Sequence, residues 1–256
     1  MKNISAPFVL RELNTIGYKE APNEPARSFA QWSFLYLISG EVLTYTAGKS
    51  VLCGAHDILL VPPGTEFRVR WYKDSIGYTG GFDESMLKDR SLPLLRLSGP
   101  RKVKISYSDE VFADELMAAL SRHLQVTEIA ASCIDLLLSM LQPVEESGST
   151  ICRVFLDTVF SGAPVTGGPG AYAAGQGIRE ADLNRALKEE TGRTAGDWIM
   201  IARLTLAKQF LRDPSLSMAE VCERIGLDDQ SYFARFFRKC EGVTPTAYRK
   251  AVFKKS

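Results

Sequence analysis

The chain of 256 residues contains only two histidines, His56 and His123, and no Cys-x-x-Cys pair. A catalytic metal centre needs several imidazole and carboxylate ligands, so we expect neither a metal nor another cofactor. Both histidines are expected to be structural or surface residues, His56 in a strand region and His123 in a helix. The five cysteines, Cys53, Cys133, Cys152, Cys222 and Cys240, are odd in number and widely spaced, which argues against a disulfide framework and a structural zinc site. No Ser/His or Cys/His signature of nucleophilic catalysis is present. No apolar run approaches the ~18–20 residues of a membrane span. The N-terminus, MKNISAPFVLRELN, lacks a basic stretch followed by an apolar core of ~7–15 residues. A cytoplasmic, non-enzymatic protein without a membrane partner is the expectation.

What is present divides the chain. Residues 1–150 hold 15 basic against 18 acidic side chains, and 151–256 hold 16 against 12, a balance of −3 and +4. The basic excess at the C-terminal end has the sign expected for a region that meets nucleic acid. From Ala30 to Asp83 the pattern is short and alternating, WSFLYLISGEVLTYTAGKSVLCGAHDILLVPPGTEFRVRWY at its centre, with turn residues at Ser39-Gly40, Ala47-Gly48 and Pro62–Gly64. This predicts an antiparallel double-sheet barrel of cupin type. From Ser108 to about Gln142 the period becomes helical, with Phe112, Leu116, Leu120 and Leu124 on one face, and predicts two helices joined near Val126-Thr127 with Ser108 as the first cap. The polar run PVEESGST, 143–150, reads as a linker, and SGAPVTGGPG, 161–170, as a loop inside the C-terminal part. The expected class is α+β. It comprises a sensor and dimerisation domain at 1–142, the linker at 143–150, and an all-helical domain at 151–256.

The C-terminal part is the most informative. Ser217 and Glu220 fit a capping box opening a helix that turns Val221 and Ile225 inward. Gly226 permits a tight turn, Leu227 plugs the core, and the next helix places Phe233, Phe236 and Phe237 at i, i+3 and i+4. Gln230, Ser231, Ala234, Arg235 and Arg238 fall on its other face. Amide and guanidinium side chains near the start of a second helix are the groups that reach base edges in a major groove. Gly242 ends this helix, and Thr244-Pro245 begins another. Any amphipathic helix exposes polar residues, but here the grammar is doubled. Gly177-Ile178 forms a second turn and plug, followed by Leu183 and Leu187 inward and Asn184, Arg185 and Lys188 outward. Between the two, Thr194 to Leu211 reads as one helix opened by Thr194 and Asp197. Its 18 residues would span about 27 Å, comparable to the ~34 Å between successive major-groove faces.

The run from Lys188 to Lys250 closely resembles the C-terminal region of AraC/XylS-type transcription regulators. The resemblance is carried by Gly226-Leu227, Ser231-Tyr232-Phe233, Arg235, Phe237-Arg238, Gly242, Thr244-Pro245 and Tyr248-Arg249, and the match extends over roughly 151–253. It implies two helix-turn-helix motifs sharing a linker helix, binding double-stranded promoter DNA. By position it implies that Gln230, Ser231 and Arg235 read bases in the second motif, and Ala181, Asn184 and Arg185 in the first. Arg238, Lys239 and Arg249 would contact phosphate or pair internally. The chain departs from the pattern at GGPGAYAAGQG, 167–177, where glycines predict a short or frayed helix before the first turn.

The strand-rich N-terminal half resembles the cupin-like halves of the same regulators, which bind a small effector and dimerise. Trp32, Phe34, Tyr36, Tyr45, Phe67 and Trp71 would supply aromatic walls to a small-molecule effector, with Arg68 and Arg70 meeting an anionic group. The run IDLLLSML, 134–141, is apolar around most of its circumference and predicts a homodimer. The alternative reading is a cupin-type enzyme or ligand-binding module with a helical interaction tail.

Overall fold

Two strands far longer than the turn spacing predicts form the spine of the N-terminal unit: β3 (Trp32–Thr46) and β6 (Glu66–Phe82). The computed structural model describes residues 7–17, 22, 26–87, 95, 99–141 and 149–254. The chain divides into two units, 1–18 with 24–147, and 19–23 with 148–256. Positions 143–148 of the expected linker lie outside the described residues, as does Gln142, while Thr150 already begins a helix.

The remaining strands are β1 (Phe8–Asn14), β2 (Arg27–Ser28), β4 (Lys49–Cys53), β5 (Asp57–Val61) and β7 (Arg101–Lys104). The antiparallel sheet runs β1-β6-β3-β5-β7, with β2 beside β6 and β4 beside β3. A closed cupin-type barrel was the expectation; among the described residues the sheet is open, with no pairing of β7 to β1. β3 and β6 pair from Trp32↔Phe82 to Thr46↔Phe67 with three register shifts, and β1 and β7 stand at separate edges of the order. Ala47-Gly48 turns β3 into β4 as expected. Ser39-Gly40 does not turn the chain but is absorbed into β3 as a pair of register shifts. Gly40 sits at φ +79, where a Cβ would fall 2.4 Å from the Asp74 carbonyl oxygen, so the bulge admits only glycine without a shift of backbone. β1, β2 and β7 lay outside the window read as strands, being short or flanked by polar residues.

Each face of the sheet has its own core. Leu35, Leu37, Val42, Cys53, Leu59 and Val61 cluster on one. Trp32, Phe34, Tyr36, Ile58, Leu60 and Phe82 cluster with two helices, α1 (Glu110–Arg122) and α2 (Thr127–Met140), in the other. The buried stripe of α1 is Ala113, Leu116, Met117 and Leu120, whereas Phe112 and Leu124 of the expected stripe are 49% and 37% exposed. The face that packs on the sheet is the i, i+3, i+4, i+7 set Ala113, Leu116, Met117 and Leu120, and beside it the Tyr36 hydroxyl donates to Asp114 Oδ1 at 2.6 Å. The cap of α1 is Asp109 rather than Ser108, whose hydroxyl is paired with that of Ser106 at 2.7 Å. Neither histidine lies within a regular element: His56 occupies the β4–β5 turn at φ 56, and His123 is the C-cap of α1.

The second unit is helical: α3 (Thr150–Val159), α4 (Pro169–Gly175), α5 (Glu180–Thr191), α6 (Ala195–Phe210), α7 (Met218–Arg224), α8 (Gln230–Glu241) and α9 (Pro245–Lys254). Its fully buried side chains include Phe155, Leu183, Leu187, Trp198, Val221, Ile225, Phe233 and Phe237. No helix among the described residues is long and apolar enough to cross a membrane. Among the same residues no group of three or more His, Cys, Asp or Glu side chains is arranged to hold a metal ion.

Candidate nucleic-acid interface

The segment from Ser217 to Gly242 folds as helix, turn, helix. Ser217 Oγ accepts from the Glu220 amide at 3.1 Å, and Glu220 Oε2 accepts from the Ser217 amide at 2.7 Å, closing the expected capping box. The Ser217 amide, first, and then the Ser217 side chain hold the Glu220 carboxyl below its ordinary range. α7 ends with the Leu227 amide donating to the Cys222 carbonyl and the Gly226 amide to that of Glu223, the paired bonds of a left-handed helix end. Gly226 is required twice over, since φ is +78 and a Cβ would lie 2.4 Å from the Val165 carbonyl oxygen. Asp229 then caps α8, its Oδ1 accepting from the amides of Ser231 and Tyr232 at 2.7 and 3.1 Å. Phe233, Phe236 and Phe237 are buried, and Phe237 meets Tyr248 of α9 edge-on at 5.4 Å. Gln230, Ser231, Arg235 and Arg238 are exposed along the other side, with Ala234 half-buried among them.

The first motif repeats the turn. The Ile178 amide donates to the Ala173 carbonyl and the Gly177 amide to that of Ala174, the same pair of bonds that ends α7. The helix entering it is short, as the glycines predicted: α4 has seven residues and a Gly168 cap without a side chain. α5 follows with Leu183 and Leu187 fully buried. Ala181 and Arg185 are exposed, but Asn184 is not free: its Oδ1 accepts from the Ala195 amide at 2.9 Å, the first residue of α6. Reading adenine takes both the oxygen and the nitrogen of an asparagine amide. That oxygen is committed within the protein.

α6 joins the two motifs. Thr194 and Asp197 form a reciprocal capping box at its start, and the Thr194 hydroxyl is the first cause of the lowered Asp197 carboxyl pKa. Its 16 residues span about 24 Å at ~1.5 Å each. The Trp198 indole donates to Thr191 Oγ1 at 2.9 Å, tying the end of α5 to α6. At the far end Lys208 Nζ lies 2.6 Å from Glu241 Oε1, both nearly buried, which ties the end of α8 to the same helix. Arg249 turns inward, donating to the carbonyls of Leu211 and Leu216, whereas Arg238 and Lys239 stay exposed. Sequence reasoning missed Lys208 and Glu241 because 33 positions separate them. It also missed Asp182, which accepts from both Arg179 and Arg185, although i, i+3 spacing was there to be read.

The candidate effector residues fall into two groups. Trp32 and Tyr36 are buried in the core against α1 and α2, with Trp32 stacked on Phe82 at 6.3 Å between centroids. Burial first, then the bond to Asp114, pushes the Tyr36 hydroxyl pKa well above its usual value. Tyr45, Arg68 and Arg70 do come together: the two guanidinium carbons lie 4.9 and 3.9 Å from the Tyr45 ring centre, and Arg70 Nη1 donates to Ser50 Oγ at 2.8 Å. Trp71 is half-buried opposite Leu43 in the register.

Residues 172–251 match a protein-family model described as a helix-turn-helix domain. An uncharacterized HTH-type transcriptional regulator of Bacillus subtilis, YisR, is 32% identical over 73 residues, 28% of this chain and 25% of its own. The arabinose operon regulatory protein of Salmonella typhimurium is 22% identical over 230 residues, covering 83% of this chain and 81% of its own. The solved C-terminal domain of AraT, a response regulator from Geobacillus stearothermophilus, covers 41% of this chain and 88% of that one with 26% identity and a TM-score of 0.39. The chain spans about a quarter of the length of the first curated relatives it matches. The duplicated turn, the shared α6 and these relatives agree: residues 172–251 of this chain are a helix-turn-helix domain of the AraC type.

Proposed function

We propose that the whole chain is a sequence-specific transcription regulator that binds promoter DNA through α5 and α8. One observation carries the reading: both turns have the same hydrogen-bonded geometry, and both following helices are fastened to opposite ends of one α6. A rod of about 24 Å holds two reading helices at a separation suited to successive major-groove faces. In the second motif Gln230, Ser231 and Arg235 are the base-reading residues, with Arg238 and Lys239 toward phosphate. In the first, Ala181 and Arg185 remain readers, and Asn184 acts by holding α5 to α6. The relatives reported above are named as regulators, which favours this reading over an enzyme. Membrane-free composition fits a cytoplasmic site of action.

The N-terminal unit is read as the cupin-like sensor and dimerisation half. A small anionic effector is supported by Arg68 and Arg70 converging on Tyr45. Self-association is supported by α2, where Leu136 and Ile129 are 44% and 38% exposed beside a shallow groove of about 340 Å³ that Leu116 and Cys133 also line. The test of the regulator is a footprint across DNA upstream of the chain's own coding region. A protected, sequence-defined site weakened by Arg235→Ala is the expected result. Binding that is salt-sensitive, indifferent to sequence and unchanged by Arg235→Ala would overturn it.

A further inference from the structure

At the start of α5 one carboxylate holds two arginines. Asp182 Oδ2 accepts from Arg179 Nε at 2.8 Å, and Oδ1 accepts from Arg179 Nη2 at 3.1 Å, so that pair is a two-pronged fork. Oδ1 also accepts from Arg185 Nη2 at 2.9 Å. The side chain of Asp182 is 22% exposed, whereas those of Arg179 and Arg185 are 81% and 68% exposed. The carboxylate is therefore the sheltered member and the guanidinium groups project from it. A guanidinium carries five N–H groups in one plane. One bond to Asp182 narrows the orientations open to the Arg185 guanidinium plane and leaves its other donors for a second acceptor. The two-bonded contact of arginine with guanine depends on that plane being set, because both bonds must be met at once. Arg179, by contrast, spends its forked edge on the same carboxylate, which removes a mobile positive charge from the approach of the phosphate backbone.

We propose that Asp182 is a specificity-determining residue of the first motif: it orients Arg185 toward a base edge and keeps Arg179 from binding phosphate without regard to sequence. This rests on the DNA-reading role of α5 and goes beyond it by placing discrimination in a residue that touches its partners rather than the base. Loss of Asp182 frees two cations, so binding to arbitrary DNA strengthens while choice between bases weakens.

The experiment uses the full chain. A randomised duplex library is first selected with the wild-type protein to obtain its preferred site. Wild type, Asp182→Asn, Arg179→Ala and Arg185→Ala are then measured on that duplex, on every single-base variant of its first half-site, and on one scrambled duplex across a salt series. Asp182→Asn should lower the preference at a guanine of the first half-site about tenfold. It should also steepen the logarithmic salt dependence by about one counterion as Arg179 reaches phosphate. Arg179→Ala should keep the preference, and Arg185→Ala should lose it at the same base, with Asp182→Asn adding nothing further in that background. Thermal unfolding of each variant gives the readout for a merely structural role. If Asp182→Asn lowers affinity for all duplexes equally, along with melting temperature, or leaves the preference intact, the inference is overturned while the reader stands. A wild-type chain that selects no sequence overturns the reader, and this inference with it.

Discussion

The two helix-turn-helix motifs share a turn but differ in how their ends are made. Both close the first helix with the same two backbone bonds, at Gly177-Ile178 and at Gly226-Leu227. The second motif adds side-chain caps to both of its helices, through Ser217 with Glu220 and through Asp229. The first has a glycine cap on a seven-residue α4 and no side-chain cap on α5. The backbone geometry of the turn is thus repeated within the chain, while side-chain capping of the motif helices is confined to its second copy. The proposed reading faces differ in the same sense: Gln230 and Arg235 are exposed on α8, whereas Asn184 and Arg185 of α5 already have partners inside the protein. A side chain with an internal partner is preoriented but must share or surrender that bond to bind DNA.

The comparison can be broken at its core first. Phe237→Ala should cost ~3–5 kcal/mol, since the ring is fully buried between Phe233 and Tyr248, and chemical denaturation should show the C-terminal domain unfolding early. Lys208→Ala leaves Glu241 buried without its cation and should destabilise the domain by ~3 kcal/mol, with α8 loosened more than α5 in amide exchange. Arg235→Ala should cost ~1–3 kcal/mol of binding and relax one position of the site, with little change in melting temperature because the side chain is exposed. Asn184→Ala should do the reverse, lowering stability by ~1 kcal/mol through loss of the bond to the Ala195 amide.

Acid sharpens the contrast least. The carboxyls of Asp182, Asp197 and Glu220 are held below their ordinary values, mainly by hydrogen bonds from Arg179, the Thr194 hydroxyl and the Ser217 amide. Their stabilisation is present above the unfolded carboxylate range, near pH 4, and is lost as pH falls through the lower folded values. A melting-temperature series from pH 6 downward should decline below about pH 4.5, with Glu220→Gln flattening part of the fall.

Much of the C-terminal domain was legible because its signals are local. Caps sit three residues from their partners, the aromatic stripe repeats at i, i+3 and i+4, and a glycine after the last inward residue marks the turn. The parts that were not legible depend on distance along the chain. Nothing near Asn184 announces that its oxygen will meet the Ala195 amide across the end of α5, and Lys208 is separated from Glu241 by two helices. In the N-terminal unit, Ser39-Gly40 carries the letters of a turn, but the approach of Asp74 makes it a bulge within a continuing strand. Phe112 has the right period for the core, but Met117 and Ala113 share a face with Leu116 and Leu120, and that face is the one buried against the sheet.

The central claim is that α8 offers free reading side chains and α5 offers anchored ones. It is tested most directly by measuring Arg235→Ala and Asn184→Ala on one preferred duplex and its complete set of single-base variants. The account predicts that Arg235→Ala flattens the preference at one base pair of the second half-site. It predicts that Asn184→Ala lowers affinity for all duplexes together, with no adenine position relaxed. An adenine preference abolished by Asn184→Ala, alongside an Arg235→Ala profile indistinguishable from wild type, would contradict it.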